Sequence, residues 1–451
     1  MTKSSDFFAF WSIFTANVAN LAITALFTTL GFQILNYFQC RFMSFSDSYI
    51  LMIGCFDTKG DIFSYLRSEL LARGQQVLSV NTGVLGSTNL FPVDIEAEQV
   101  AQEGGHQLSE LREKSDRGYA VDVMGRGAAS IVASLAKEGK IKAAVGMGGG
   151  GGSYIVLSAL KEIPMGIPKA CVSTLAAKDL SHRMGNKDIV LIPSIVDVAG
   201  LNSISEMIIR QAAAAISAMA DSQGLIYHQS KGRVAISMFG NTTPCVNACT
   251  KLLEDQGYEV FAFHANGEGG RTMEALIREN LFQGVLDITT TELADELCGG
   301  ICTAGPGRMD AAGDLAVPQV VVPGCMDMVN FGPLDSVPDK YRERQLYSWS
   351  PDVTLMRTNK EENILIAEIL SAKINRSKGP VSILFPLRGL SQMDSEGKAF
   401  YNPTFNQALL DSLKKLVKPS VEIRDIDANI NDGAFAKIAV EKLLAIMSGE
   451  K

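Results

Sequence analysis

Histidine is scarce in this chain of 451 residues, which contains only His106, His182, His228 and His264. The sequence has no H-E-x-x-H motif and no paired C-x-x-C motif, which are spacings typical of zinc sites. It also has no G-x-S-x-G nucleophile elbow and no order of Ser, His and Asp that indicates a catalytic triad. The sequence therefore gives no support for a zinc hydrolase or an α/β-hydrolase.

Positive charge is in the minority, with 41 Lys and Arg against 49 Asp and Glu and a formal net charge of −8. No basic stripe with interleaved aromatic residues is present, so we expect no nucleic-acid partner. The eight cysteines are scattered, and Cys55 and Cys171 adjoin predicted buried strands. This pattern favours reduced thiols in a cytoplasmic protein.

Charged side chains are absent between Phe7 and Cys40, a stretch long enough to span a bilayer. The stretch contains several Asn and Gln residues and is followed by no small-residue cleavage site. Met43 opens a conventional soluble start just before the first predicted strand. We expect residues 1–46 to be an apolar extension that arises from a start upstream of the biological one. A membrane anchor and an organelle-targeting segment are the alternatives.

From residue 49 onward, short apolar runs typical of buried strands alternate with helical patterns of 10–20 residues. This alternation predicts right-handed βαβ units and parallel sheets. A polar stretch from Ser222 to Gly232 is predicted to be a linker. The sequence therefore predicts an α/β protein with two Rossmann-like parallel-sheet domains, at residues 47–225 and 232–451.

The two halves resemble an internal duplication. Residues 49–85 align with residues 232–268 without a gap, at a constant offset of 183. Phe56 pairs with Phe239 and Gly74 with Gly257 in this alignment. Two related domains would create a cleft, and ligands of open α/β sheets bind beyond the carboxyl ends of the strands.

A glycine run from Gly146 to Gly152 separates an apolar strand from a helix that we expect to begin near Tyr154. Glycines let the backbone approach an anion closely, and the helix N-terminus favours negative charge. No Lys-Ser/Thr pair follows the run, so it is not a Walker A loop. Phosphate binding and a tight structural turn are both open interpretations. The candidate binding residues of the run are Gly148, Gly149, Gly150, Gly151, Gly152 and Ser153.

Other strand-end loops of the first half carry cations and hydroxyl groups. Lys59 is a candidate phosphate partner, and Arg126 offers a bidentate guanidinium group. Thr58 and Thr82 offer hydroxyl groups, and Asp57 is either a ligand contact or a helix N-cap. Lys59 and Arg126 could equally be ordinary surface residues.

Four residues on separate strand-end loops of the second half are candidate catalytic groups: His264, Asp327, Arg388 and Asp394. Such a set suits a carboxylate or phosphate substrate with acid–base assistance. His264 as a structural histidine, and the two aspartates as loop caps, are the alternatives. The spacing of these residues gives no support for a metal site.

Several of these segments together resemble a known family. They are residues 53–59, the glycine run at 147–153, the turn at 323–327 and the loop at 387–389. They are similar to an uncharacterised two-domain family that includes the ATP-binding inhibitory domain of the tomato mosaic virus resistance protein. The resemblance covers roughly residues 48–448.

This resemblance implies a homodimer that binds ATP, with or without Mg²⁺, in the first domain. It places Lys59, Thr82, Arg126 and Gly149 to Ser153 near the nucleotide, but it supplies no reaction. We therefore expect a nucleotide-binding protein with a cleft for a small anionic ligand, which acts as an uncharacterised enzyme. The alternative is a non-enzymatic module that binds a protein partner when nucleotide is present.

Overall fold

A computed structural model describes residues 48–222 and 230–449. The extension predicted over residues 1–46 and most of the predicted linker lie outside these residues. The described chain divides into two compact units. Unit 1 comprises residues 48–163, 167–180 and 189–222, and unit 2 comprises residues 164–166, 181–188 and 230–449.

Unit 1 is built from five strands and the helices that connect them. The strands are β1 (Tyr49–Gly54), β2 (Val77–Asn81), β3 (Ile141–Gly148), β4 (Lys169–Ser173) and β5 (Ile189–Pro193). The helices are α1 (Phe56–Ala72), α2 (Ala97–Glu103), α3 (Leu108–Lys114), α4 (Arg117–Lys137), α5 (Gly150–Leu160) and α7 (Ser203–Asp221); α6 (Ser181–Met184) belongs to unit 2.

The five strands of unit 1 form one sheet in the order β2-β1-β3-β4-β5, and every pair is parallel. Alternate side chains of β1 face opposite sides of this sheet, as the twofold period of a strand requires. Ile50 and Met52 pack into one core with apolar residues of α1 and α7. Because both faces of a parallel sheet are covered, β1 is an almost continuous apolar run.

Unit 2 contains a larger parallel sheet. Its strands are β6 (Arg233–Met238), β7 (Glu259–His264), β8 (Gly284–Thr289), β9 (Gln319–Gly324), β13 (Val381–Pro386) and β14 (Glu422–Ile426), in the order β14-β13-β9-β8-β6-β7. Strands β10 (Met328–Phe331), β11 (Leu346–Ser350) and β12 (Val353–Arg357) form a separate antiparallel sheet.

Helices surround the larger sheet of unit 2. They are α8 (Thr243–Asp255), α9 (Glu268–Arg278), α10 (Thr291–Cys298), α11 (Ala311–Asp314), α12 (Lys360–Arg376), α13 (Pro403–Leu416) and α14 (Gly433–Met447). Helices α8 and α14 share a core with β6, β8 and β9, whereas α12 and α13 share another core with β13. The structure thus confirms the predicted α/β class and the two parallel-sheet domains.

The predicted repeat also agrees with the positions of the first elements of each unit. Helix α1 ends at Ala72 and α8 ends at Asp255, so their ends are 183 residues apart. Gly74 and Gly257 follow these helices with φ of 75° and 86°. A left-handed φ of this kind favours glycine, which explains why both helices are followed by one.

Within residues 48–222 and 230–449, every helix is too short or too polar to cross a bilayer. The apolar stretch between Phe7 and Cys40 is not included in this statement, because it lies outside the described residues.

Candidate functional site

A cavity of about 490 Å³ opens in unit 1 at the carboxyl ends of β1, β2 and β3. Its walls come from the loops after β1 and β2, the segment that joins α3 to α4, and the first turns of α4 and α5. The lining residues are Cys55, Asp57, Thr58, Thr82, Gly83, Val84, Leu85, Leu111, Arg112, Ser115, Asp116, Arg117, Ala120, Val121, Met124, Gly151, Gly152 and Ile155. This is the edge at which parallel sheets bind ligands.

Five of the binding residues predicted from sequence line this cavity: Asp57, Thr58, Thr82, Gly151 and Gly152. The other predicted residues lie outside its lining, namely Lys59, Arg126, Gly148, Gly149, Gly150 and Ser153. The structure therefore brings the Asp-Thr pair, the loop after β2 and part of the glycine run to one place.

Helix α5 begins at Gly150, so the prediction that it begins near Tyr154 is wrong by one turn. The last glycines of the run are already helical, and Gly151 and Gly152 present their backbone in the first turn of α5. The first N–H groups of a helix have no partner within it and carry partial positive charge. The cavity therefore meets the positive end of α5.

The beginning of the glycine run has a structural role. A Cβ atom on Gly148 would lie 2.6 Å from the backbone carbon of Gly152, so no side chain fits there. The buried Ser153 hydroxyl lies 2.9 Å from the Gly148 carbonyl, to which it donates, and 2.6 Å from the Ser173 hydroxyl. Gly148 and Ser153 thus form a tight turn, while Gly151 and Gly152 line the cavity, where phosphate binding stays a prediction.

Lys59 points away from the cavity lining. The backbone of α1 is kinked at this residue, with φ of −135° and ψ of 26°. Its Nζ donates a hydrogen bond to the Val198 carbonyl, in the loop before α7. In this structure Lys59 therefore links α1 to the loop before α7.

Arg126 lies on α4, two residues after Met124, which lines the cavity. Its side chain is 56% exposed, and its Nη1 lies 2.9 Å from Asp122 Oδ2 on the same helix. The carboxylate neutralises the guanidinium charge at this position. Arg126 therefore forms an i,i+4 ion pair with Asp122 on the surface of α4 in this structure.

Arg117, which the sequence argument missed, occupies the position expected of an anion-binding cation. It is the first residue of α4, and its Nη2 lies 4.0 Å from the place that a Cβ on Gly151 would occupy. Among the described residues no carboxylate lies within ion-pair distance of it. The sequence signal is weak, because no motif marks Arg117 and only the packing of α4 against α5 brings it to the glycines.

Asp57 anchors the loop after β2. Its Oδ2 accepts a hydrogen bond of 2.8 Å from the Leu85 N–H, and its carboxylate occupies the space beside Gly83. A Cβ on Gly83 would lie only 2.3 Å from Asp57 Cγ. The N-cap of α1 is Cys55, so the alternative that Asp57 is the N-cap is wrong.

Cys55 lines the same cavity. Its Sγ is 3.4 Å from the Thr82 hydroxyl, and burial raises the pKa of the thiol. A thiol with a raised pKa stays protonated at neutral pH, and the protonated form is a poor nucleophile. Cys55 is therefore suited to a polar contact and unsuited to covalent catalysis.

In unit 2 the structure brings two of the predicted catalytic residues together. Asp327 and Asp394 are both fully buried, and Ser391 joins them. The Ser391 hydroxyl donates to Asp327 Oδ2 over 2.8 Å and accepts from the Asp394 N–H over 3.0 Å. Burial, and after it the charge of the neighbouring Asp394, raises the pKa of Asp327. Burial also raises the pKa of Asp394, and the charge of Arg357 opposes this rise.

The other two predicted catalytic residues lie apart from this pair. His264 is exposed at the end of β7 and stacks on Phe239, with ring centroids 5.3 Å apart. Arg388 is exposed and forms a bidentate pair with Asp427, at 2.6 and 2.7 Å. No described contact joins either of them to Asp327 or Asp394.

A second polar cluster of unit 2 surrounds Arg308, which is 1% exposed. Its guanidinium group pairs with Asp287, Glu292 and Glu274. Glu292 Oε1 also accepts from the Gly267 and Gly270 N–H groups around the start of α9. A protein carboxylate thus already occupies this helix N-terminus, unlike the N-terminus of α5 in unit 1.

Metal-binding groups are not evident in the described part of the chain. No cluster of three or more His, Cys, Asp or Glu side chains there has the arrangement needed to hold a metal ion.

Two family models match the chain, one for each unit. The N-terminal domain of the uncharacterised protein family UPF0261 matches residues 48–224, and the C-terminal domain of the same family matches residues 231–447. Both matches end close to the boundaries of the two parallel-sheet domains.

Individual relatives agree with these matches. A UPF0261 protein of Clostridium tetani is 43% identical over 88% of this chain and 98% of its own length. A UPF0261 protein of Rhizobium meliloti is 40% identical over 87% of this chain and 97% of its own length. The tomato (Solanum lycopersicum) ToMV resistance protein Tm-1(GCR237) is 36% identical over 73% of this chain, but the match spans only 45% of the tomato protein. The chain therefore belongs to the uncharacterised, two-domain protein family UPF0261.

Proposed function

We propose that unit 1 binds a nucleotide, with ATP as the candidate, and that the phosphate chain lies between Arg117 and the first turn of α5. The observation that carries this proposal is the position of Arg117. Its guanidinium group lacks a carboxylate partner among the described residues and lies beside Gly151, in a cavity large enough for a small molecule. A guanidinium group provides charge-assisted hydrogen bonds to phosphate.

The helix terminus supports the same proposal. Backbone N–H groups in the first turn of a helix bind phosphate, and glycine allows the anion to approach closely. Gly151 and Gly152 supply both features in α5. Thr58 and Thr82 line the same cavity and offer hydroxyl groups for further contacts.

A specific observation favours a module that binds nucleotide without turning it over, which is the non-enzymatic alternative. The two carboxylates of the cavity are already engaged, since Asp57 accepts from the Leu85 N–H and Asp116 accepts from the Tyr119 N–H. No histidine is among the lining residues. A general base must reach the water that it activates, whereas the oxygen of Asp57 that has no hydrogen-bond partner, Oδ1, is buried from solvent. The predicted cleft, its anionic ligand, the protein partner and the homodimer stay predictions.

The test is titration calorimetry of the full chain with Mg-ATP, beside two arginine variants of the same helix. Arg117→Ala should weaken binding by about 10- to 100-fold, because a hydrogen bond to a charged group contributes roughly 1.5–3 kcal/mol. Arg126→Ala is the matched control, since it removes the same charge from α4 at a residue outside the cavity. We expect its affinity to equal that of the unchanged protein.

Equal affinities of all three proteins would place the nucleotide elsewhere, and no heat of binding for the unchanged protein would end the proposal. A phosphate-release assay on the same samples separates the two alternatives. Turnover that depends on Arg117 would favour the enzyme, whereas tight binding without release would favour the binding module.

A further inference from the structure

We infer that the nucleotide site selects the phosphate chain and accepts either purine base, and that Leu85 covers the face of the base. This inference rests on the proposed function, whose site it describes in more detail. It follows from the chemistry of the wall beyond Arg117 and from the unusual exposure of Leu85.

The wall that leads away from Arg117 is apolar. Val121 lies one turn along α4 from Arg117, and Ala120, Met124 and Ile155 continue the surface. A ligand whose phosphates contact Arg117 and Gly151 therefore lays its other end on aliphatic groups. The faces of a purine are apolar, so they match such a wall.

The lining contains no side-chain amide, which is the group that reads the edge of adenine or guanine most directly. Asn and Gln present a donor and an acceptor side by side, as a purine edge requires. Two of the polar side chains in the lining are already engaged: Arg112 donates to the Val84 carbonyl over 2.6 Å, and Asp116 caps α4. Asp57 keeps an Oδ1 without a hydrogen-bond partner, but this atom is buried from solvent. Because no side-chain amide and no exposed carboxylate oxygen of Asp57 meets the base edge, adenine and guanine should bind with similar affinity.

Leu85 is the most exposed large apolar residue in the described chain, at 78%. Its backbone is nevertheless fixed, because the Leu85 N–H donates to Asp57 and the neighbouring Gly86 carbonyl accepts from Asn81 over 3.0 Å. The side chain is thus held at the rim of the cavity by a rigid loop. A base held in this cavity would bury Leu85, and because the loop is already held by hydrogen bonds, binding would carry no cost for ordering it.

The experiment measures the affinities of the full chain for ATP, GTP and inorganic tripolyphosphate, and repeats them with Leu85→Ser. Leu90→Ser is the matched control, because Leu90 is 56% exposed in the same loop but lies outside the cavity lining. Both substitutions replace an exposed leucine, so neither should disturb folding.

We expect ATP and GTP to bind within about 5-fold of each other, and tripolyphosphate at least about 10-fold more weakly. Leu85→Ser should weaken both nucleotides by about 10-fold and leave tripolyphosphate unchanged, since burial of a leucine is lost only where a base is present. Leu90→Ser should change none of the three affinities.

A preference of more than about 50-fold for one base would overturn the inference, because it requires a group that reads the base edge. Equal effects of Leu85→Ser on ATP and tripolyphosphate would overturn it as well. In both cases binding that depends on Arg117 would leave the proposed function intact. If neither nucleotide binds, the proposed function fails and this inference fails with it.

Discussion

Replacement of Arg308 by methionine should destabilise unit 2 severely. The guanidinium group donates to Glu292 over 2.5 Å and to Asp287 through two bonds of 2.7 Å, and it lies 3.5 Å from Glu274. These four side chains are buried and carry a formal charge of −3 + 1 = −2. Methionine fills a similar space but carries no charge, so the formal charge of the buried cluster changes from −2 to −3.

The cost can be estimated from the loss of one partner in a buried ion pair, which is about 3–5 kcal/mol. The backbone N–H groups that donate to Glu292 and Glu274 would remain, so a value near the lower end is reasonable. A loss of about 3 kcal/mol is a large part of the roughly 5–15 kcal/mol by which a domain is stable.

The pH dependence gives the prediction a second readout. Burial raises the pKa of Glu274, and Arg308 opposes this rise. Without Arg308 the folded-state pKa should rise further above the unfolded value of about 4.3. A carboxyl group with a raised pKa lowers stability as the pH rises through the unfolded pKa, so the deficit should be smaller at pH 5 than at pH 8.

The assay is urea unfolding of the full chain at both pH values, followed by a signal from unit 2. Arg376→Met is the control, because Arg376 is 68% exposed and its ion pair with Asp310 should contribute under about 1 kcal/mol. A loss below about 1 kcal/mol for Arg308→Met, or a loss that is the same at pH 5 and pH 8, would refute the electrostatic reasoning.

Two further predictions concern Gly148 and Asp295. Gly148→Ala should lower the free energy of unfolding by more than about 2 kcal/mol, because the new Cβ would meet the backbone of Gly152. Gly150→Ala should be nearly neutral, because no atom lies within 4 Å of the place that its Cβ would occupy. Thermal unfolding compares the two variants, and equal melting temperatures would contradict the described turn. Burial raises the pKa of Asp295 to about 7, so ionisation should lower stability between about pH 4 and pH 7. Asp295→Asn should flatten this pH dependence in urea titrations, because asparagine does not titrate. The new amide can keep a hydrogen bond to Asn330, whose free Oδ1 can accept it if the Asn330 amide rotates. An unchanged slope would mean that Asp295 is not the titrating group.

The sequence by itself determined the fold class of this protein. Strands β1 and β3 are apolar almost throughout, and helical segments separate them, so a parallel sheet covered on both faces is the arrangement that buries both. The constant offset of 183 residues marked the equivalent helices and the glycines that follow them. These features depend on local periodicity and on glycine conformation, which neighbouring residues in the chain decide.

The sequence also indicated part of the candidate site. The polar loops after β1 and β2 and the glycines after β3 had to meet at one edge, because parallel strands place their carboxyl ends together. That reasoning led to Thr58, Thr82 and Gly151, all of which line the cavity.

Only the tertiary structure decided which cations and carboxylates stand together. Arg117 and Arg126 lie nine residues apart on one helix, yet one faces Gly151 and the other pairs with Asp122. Asp327 and Asp394 meet through Ser391, although 67 residues separate them in the sequence, while His264 stays apart. Long side chains on exposed turns have many possible partners, and the packing of one element against another selects among them, so this part of the site could not be derived from the order of residues.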